Sequence, residues 1–247
     1  MTLDEFFRAH PRAALALSGG VDSCCLLALA LRHSCQVRPY FVKSAFQPAF
    51  ELADAQSLCR QLGVELTVLH LDVLSAPEVA ANPADRCYHC KHRIFSAILA
   101  QAKADGYTTV FDGTNASDDA GDRPGMRALR EMEVLSPLRL CGLTKAQVRA
   151  EAKAAGLPVW DKPAYACLAT RVPTGEALTA ELLERVERAE DALFAQGFSD
   201  FRVRVFHGAA RLQLPKGQFL EAAERSEEIR EVLRPWFEHV FLDLDKR

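Results

Sequence analysis

Three groups of residues have types and spacings that could do chemistry. The first is Ser18-Gly19-Gly20-Val21-Asp22-Ser23. Two adjacent glycines let a backbone bend tightly and come close to an anion. If a helix opens at Val21, its first N–H groups point at that anion and its dipole favours the negative charge. Ser18 and Ser23 add hydroxyl donors. Asp22 does not favour bare phosphate; its carboxylate orients a donor or holds Mg²⁺. The loop lacks the Gly-Lys-Ser/Thr ending of a Walker A loop and the Gly-x-Gly-x-x-Gly of a dinucleotide site. A second polar stretch, Asp112-Gly113-Thr114-Asn115-Ala116-Ser117-Asp118-Asp119, follows an apolar run and could face the same ligand; a surface turn would read alike. Lys43-Ser44 ends another apolar run, where Lys43 reads either as a nucleotide contact or as a solvated lysine.

The second group is Asp85-Arg86-Cys87-Tyr88-His89-Cys90-Lys91. Two thiolates at Cys-x-x-Cys spacing can share one metal centre. No second Cys-x-x-Cys follows, so a closed four-cysteine zinc site is not specified. A zinc site completed by His89 or His92 with Cys167, a redox dithiol and buried structural cysteines all remain open. The third group surrounds Cys167, which Lys162 and Arg171 flank. A cation close in space lowers a thiol pKa and makes the thiolate the reactive form. Taken alone such a cysteine reads as structural; beside an activated acyl group it would instead be a nucleophile. The other five cysteines, Cys24, Cys25, Cys35, Cys59 and Cys141, sit in apolar patterns and read as small buried hydrophobes.

Arg202 and Arg204 stand two apart on an expected strand and so share a face. Guanidinium groups suit a phosphate through paired hydrogen bonds. Arg171, four residues past Cys167, is a further candidate, and a solvated face is the alternative. Trp160 reads as packing rather than as stacking on a ligand.

These residues need a frame. Apolar runs at Ala13–Leu17, Pro39–Val42, Val64–Leu71 and Thr108–Phe111 read as strands. Helical patterns separate them at Val21–Arg32, Phe50–Leu62 and Cys90–Ala104. Thr144 with Gln147 forms a capping-box pattern for a helix that Gly156 stops. Strands alternating with helices mean an α/β fold, a doubly wound and mostly parallel sheet with helices on both faces. Residues 156–173 carry several prolines and no clear period, so they read as a structured connection that could line a site. Beyond lie a helix from Thr179 to Gln196, a hairpin from Phe201 to Leu214 turning at His207-Gly208, a helix from Gln218 to Leu233 and a strand from His239 to Leu244. They make a small α+β unit. The division expected is 1–172 and 173–247.

The chain has 247 residues, 30 Lys+Arg and 33 Asp+Glu, for a formal net charge of −3. Such a chain buries a proper core. The balance argues against a dedicated nucleic-acid surface. The apolar run Cys24–Leu31 is too short to cross a bilayer, and the acidic start is unlike a signal peptide. A cytoplasmic protein is expected, with no membrane partner and no disulfide framework.

Ser18–Ser23 resembles the pyrophosphate loop, or PP-loop, of the N-type ATP pyrophosphatases, and Asp112–Asp119 resembles their second nucleotide motif. That resemblance implies cleavage of ATP between the α- and β-phosphates. Together with Asp85–Lys91, Arg123–Met126, Ser136–Leu138 and residues 156–173, these segments are similar to the LarE family of ATP-dependent sulfur transferases, across most of the chain. The resemblance implies a small-molecule nucleotide substrate, pyridinium-3,5-biscarboxylic acid mononucleotide, whose carboxylate is adenylated and converted to a thiocarboxylate for the nickel-pincer nucleotide. It implies ATP and Mg²⁺ bound by Ser18, Gly19, Gly20, Asp22, Ser23, Lys43, Gly113, Thr114 and Asn115. Arg171, Arg202 and Arg204 would bind the substrate. Cys87, Cys90 and Cys167 match the family's three-cysteine version, which implies a [4Fe-4S] cluster whose open iron carries sulfide. In the family's other version a single cysteine at the Cys167 position gives up its own sulfur. A homo-oligomer is suggested, and the sulfide source is unspecified.

Three other readings compete. A PP-loop tRNA thiolase would use the same loop and a similar cysteine trio but needs a basic RNA-binding surface. An amide synthetase of the NAD or GMP synthetase kind needs an ammonia source and gives the three cysteines no role. A non-enzymatic nucleotide-binding module would bind ATP without releasing pyrophosphate.

Overall fold

The computed structural model describes residues 1–118 and 124–245; Asp119 and Arg123, parts of two expected motifs, lie outside the described residues. The chain divides into two compact units. One comprises Met1–Val73 with Asp85–Lys162, and the other Leu74–Ala84 with Pro163–Arg247.

In the first unit, α1 (Leu3–Ala9) precedes β1 (Arg12–Ala16), which leads through the glycine loop into α2 (Val21–Arg32). Then come β2 (Gln36–Lys43), α3 (Ala49–Gln61) and β3 (Thr67–His70). After an excursion into the other unit that includes the single turn α4 (Pro77–Ala80), the chain returns with α5 (Arg86–Ala104), β4 (Val110–Phe111), α6 (Pro124–Glu131), the turn α7 (Pro137–Leu140) and α8 (Lys145–Ala154). The sheet order is β3-β2-β1-β4, and every pairing is parallel.

Period-two alternation divides the sheet's side chains between two cores. Ala13, Leu15, Val37, Phe41 and Phe111 pack on one face with Phe6, Leu26, Leu27, Leu58 and Val148. Ala14, Tyr40, Val42 and Val110 pack on the other with Phe95, Ile98 and Leu129. Strands buried on both faces with crossover helices are the doubly wound α/β arrangement the sequence predicts. β2 is longer than Pro39–Val42, because Gln36–Arg38 complete the ladder opposite Arg12–Ala14. The fifth helix starts at Arg86, four residues before the expected Cys90, so both cysteines of the Cys-x-x-Cys lie on its first turns.

The order places a topological switch at β1. The chain runs β1→β2→β3 in one direction, and β4 then pairs with β1's other edge. Crevices outside the carboxyl ends of strands at such a point are where open α/β sheets take ligands. The glycine loop leaves β1 there, and Asp112–Asn115 leaves β4.

In the second unit, α9 (Ala180–Ala195) packs with a three-stranded sheet of order β5-β6-β7, where β5 is Arg202–Phe206, β6 Ala209–Gln213 and β7 Val240–Leu242. β5 and β6 form the antiparallel hairpin at His207-Gly208, both of whose φ angles are positive, as a tight hairpin turn needs. β6 and β7 pair in parallel. The helix read as continuous over Gln218–Leu233 is two, α10 (Phe219–Glu224) and α11 (Ser226–Leu233), broken at Arg225. Among the described residues no helix is long and apolar enough to cross a membrane.

Candidate active site

The glycine loop is held by its own hydroxyls. Ser23 Oγ accepts from the Ser18 amide at 3.1 Å and donates to the Gly20 carbonyl at 3.2 Å. The Ser18 and Ser23 hydroxyls lie 3.0 Å apart. Gly19 has φ +77°, and a Cβ there would meet the Glu51 carbonyl oxygen at 2.7 Å. A side chain is therefore excluded twice, by conformation and by the start of α3. Gly20 is the N-cap of α2 and supplies no side-chain acceptor, so the helix's first amides have no cap from their own loop. That is the arrangement an anion completes.

The second motif packs backbone against backbone on this loop. A Cβ on Gly113 would stand 2.7 Å from the Ser23 amide nitrogen and 3.0 Å from Ser23 Cα. Buried Asp112 accepts from the hydroxyls of Ser136 and Thr114, both at 2.5 Å, which fixes the turn leaving β4. Asn115 Nδ2 donates to Asp22 Oδ1 at 3.1 Å. Ser18, Gly19, Gly20, Asp22, Ser23, Gly113, Thr114 and Asn115 thus meet at one place. Lys43 ends β2 on the same sheet edge, and its ammonium donates to the Gln47 carbonyl.

Two lysines stand beside the loop: Lys145, which the sequence reading did not single out, and Lys162, which it named only as a neighbour of Cys167. Lys145 Nζ donates to Asp22 Oδ2 at 2.5 Å. Lys162 Nζ donates to Asp54 Oδ2 at 2.6 Å and lies 3.5 Å from the Gly19 carbonyl. Lys145 carried a signal. It is the first residue of α8, where a cation opposes the helix dipole, so some other partner must hold it there.

Cys87 and Cys90 lie three residues apart on α5, hence on one helical face. Cys87 is exposed and Cys90 is 8 % exposed. Arg86 is buried beside them, with Nη2 3.7 Å from Cys87 Sγ and its guanidinium over the Phe46 ring. A Cys-x-x-Cys pair on one helix face is a donor set that suits two irons of one cluster. Among the described residues no three His, Cys, Asp or Glu side chains gather as a metal site. A single carboxylate, Asp22, suits Mg²⁺, which takes one or two protein carboxylates together with phosphate oxygens.

Cys167 belongs to the second unit, where it caps the 3₁₀ turn Leu168–Arg171 and is partly exposed. Arg171 is 1 % exposed and paired with equally buried Glu190. Burial opposes its charge, but the Glu190 hydrogen bonds and carboxylate more than offset that and raise its pKa. Arg202 and Arg204 do share a face of β5. Arg202 donates to the Ala164 and Phe201 carbonyls, both at 2.5 Å, and Arg204 donates to the Thr170 carbonyl at 2.6 Å and to Gln213. Burial and then the neighbouring Arg171 charge bring the Arg202 pKa down to about 10. The Arg204 pKa falls for the same two reasons. Among the remaining cysteines, desolvation pushes the Cys24 and Cys25 thiols up to about 12 and those of Cys35 and Cys59 to about 11. Cys141 is half-buried and also raised by desolvation.

A parallel sheet whose inner strand runs into an uncapped helix N-terminus, met at the switch point by a second polar turn, is the arrangement of the PP-loop class of ATP-using enzymes, though not of that class alone. The asparagine synthase family model, of the same class, matches residues 4–117. An uncharacterised protein of Synechocystis is 36% identical over 98% of this chain and 92% of its own length. The pyridinium-3,5-bisthiocarboxylic acid mononucleotide synthase of Lactiplantibacillus plantarum is 33% identical over 98% of this chain and 89% of its own. A tRNA-specific 2-thiouridylase of Frankia alni matches less, 29% identical over 62% of this chain and 53% of its own. The chain belongs to the LarE family, and it is an ATP-dependent sulfurtransferase.

Proposed function

We propose that the protein converts pyridinium-3,5-biscarboxylic acid mononucleotide to its thiocarboxylate, a step toward a nickel-pincer nucleotide. The observation that carries the ATP half of this reading is the packing of Gly113 on Ser23, which puts both nucleotide motifs around one uncapped helix start. The Lactiplantibacillus relative, matched along nearly the whole chain, supports the substrate. A substrate carboxylate oxygen attacks the α-phosphorus of ATP, and pyrophosphate leaves. The helix amides, Ser18 and Ser23 hold the departing phosphates, and Lys43 reaches the nucleotide from the same sheet edge. Asp22 holds Mg²⁺ or steers Lys145 toward the leaving charge. The product is an acyl adenylate, whose carbonyl carbon is then open to sulfur.

For the sulfur step we favour Cys87, Cys90 and Cys167 as three ligands of a [4Fe-4S] cluster. Held by these three cysteines, such a cluster would supply sulfide to the acyl adenylate without consuming the chain. The second reading is sacrificial. Cys167 Sγ would displace AMP to form a thioester, and loss of the Cys167 Cα proton with cleavage of its Cβ–S bond would leave dehydroalanine and a thiocarboxylate. Arg202 and Arg204, with Arg171 behind them, are the proposed ligands of the substrate phosphate. Their shared face on β5 supports this, since two guanidinium groups on one side of a strand suit a phosphate.

The test is iron and acid-labile sulfide per chain after anaerobic purification, together with product analysis. About four of each, lost in Cys87→Ala, establish the cluster. Neither, even after reconstitution, with Cys167 mass-shifted to dehydroalanine after one turnover, establishes the sacrificial route. Pyrophosphate release driven by bulk tRNA and not by the pyridinium would replace the substrate with RNA.

A further inference from the structure

We propose that Glu190 is a positioning residue for the sulfur step, acting on Cys167 through Arg171. The proposal rests on the sulfur-transfer reading for its role and on the geometry of the second unit for its physical basis.

The segment Pro163–Arg171 contains neither strand nor α-helix; only its last four residues form a 3₁₀ turn. No ladder or helical bond therefore fixes most of it, and side chains do so instead. Thr170 Oγ1 donates to the Cys167 carbonyl at 2.8 Å. Arg171 Nη1 donates to the Ala166 carbonyl at 2.7 Å and lies 3.4 Å from the Cys167 carbonyl. Arg202 and Arg204 hold the Ala164 and Thr170 carbonyls from β5. Thr170 holds the Cys167 carbonyl from within the turn, whereas Arg171 bridges the carbonyls on both sides of Cys167, so its position bears on where the sulfur stands.

Glu190 fixes Arg171. Its Oε1 accepts from Arg171 Nε and from the Val203 amide, each at 2.9 Å. Its Oε2 accepts from Arg171 Nη2 at 3.0 Å and from the Tyr165 hydroxyl. Four donors fill the four acceptor sites of one carboxylate. The Tyr165 ring lies under both the Arg171 and Arg202 guanidiniums, at 4.4 and 4.8 Å. One buried carboxylate thereby ties α9, β5 and the Cys167 segment to a single guanidinium plane.

A fully buried ion pair is weak support for stability, since apolar residues of equal volume often serve as well. What apolar packing cannot supply is a fork of fixed direction aimed at two consecutive carbonyls. Fixed direction matters for a sulfur that must meet an acyl carbon, because displacement by about 1 Å can cost on the order of a hundredfold in rate.

The experiment uses the full chain with Glu190→Gln, whose amide N–H₂ would face the Arg171 N–H groups and push them away. Two quantities are read: thiocarboxylate formed per pyrophosphate released, and hydrogen exchange of the peptide spanning 163–172. We expect the coupling ratio to fall about tenfold or more and exchange of that peptide to quicken severalfold, with the melting transition still cooperative. A folded variant with an unchanged ratio overturns the proposal. So does a parallel loss of pyrophosphate release and transfer in proportion to unfolded protein, the mark of a merely structural role. Should Glu190→Gln not fold, Arg171→Lys keeps the charge, loses the fork and must show the same fall in ratio. If the wild-type chain forms no thiocarboxylate, the sulfur-transfer reading fails by itself. The exchange measurement then decides alone, and unchanged exchange refutes the positioning role.

Discussion

The loop at Ser18–Ser23 and the segment around Cys167 solve the placing of reactive groups in opposite ways. The first is built of backbone. Its conformation comes from a left-handed glycine, its approach to the second motif from a glycine without a side chain, and its donors from amides at a helix start. The second is built of side chains. Arginines from β5 and from the segment itself grip its carbonyls, and one buried carboxylate orients the grip. Backbone construction writes itself into consecutive residues. Side-chain construction depends on partners far along the chain, 19 positions in the case of Arg171 and Glu190.

The contrast predicts that a methyl group breaks the first region and a lost charge breaks the second. The largest effect belongs to Gly113→Ala. The added Cβ meets main-chain atoms of Ser23 that cannot swing aside, so the two nucleotide motifs must part. Pyrophosphate release should fall roughly a hundredfold or more. Near-normal release from Gly113→Ala would show that the two motifs need not touch. Gly19→Ala adds left-handed strain of about 1–3 kcal/mol to its clash with Glu51. On the other side, Glu190→Ala leaves Arg171 buried without its counter-charge and should cost about 3–5 kcal/mol in denaturant unfolding. A cost under about 1 kcal/mol would mean that solvent reaches Arg171 and that its burial is not what the comparison requires.

How much could be read in advance follows the same divide. The glycine loop and Asp112–Asn115 were legible because their chemistry is local. The doubly wound sheet was legible from strands and helices alternating in order. Lys145 was not singled out, although it opens a helix against its dipole; Lys162 was singled out, but as a neighbour of Cys167 and not of the glycine loop. Glu190 left a trace as well. It follows Leu183 by seven positions and Val186 by four, so it falls on the apolar stripe of α9, where a carboxylate needs a partner. The charge was readable, but its partner was not. The break at Arg225 was missed because the hydrophobic period of Gln218–Leu233 continues across it.

Cysteine reactivity sharpens the comparison at lower amplitude. With their pKa values raised to about 11 or 12 by burial, Cys24, Cys25, Cys35 and Cys59 carry at most about one thiolate in a thousand molecules at pH 8. Native alkylation of the cluster-free chain, followed by peptide mass spectrometry, should label exposed Cys87 first and spare these four. Labelling of Cys24 or Cys25 at a rate near that of Cys87 would mean that the first unit opens far more readily than its packed core implies.

The smallest effect expected comes from the cap that sets Lys145. Thr144 Oγ1 accepts from the Gln147 amide at 3.4 Å, and Gln147 Oε1 accepts in return from the Thr144 amide at 2.8 Å. This box starts α8 one residue before Lys145, and Ser117 Oγ, from the second nucleotide motif, accepts from the Lys145 amide at 2.9 Å. Thr144→Ala removes the threonine half and should lower unfolding stability by about 1 kcal/mol. If Lys145 serves the departing phosphates, the loosened start must also show in catalysis, as a rise in the KM for ATP of about twofold to threefold. Lys145→Met must raise it further in the same assay. A stability loss with no change in KM would confine the box to holding a helix. A change in KM for both variants would extend the backbone-built region from the glycine loop to the first residue of α8.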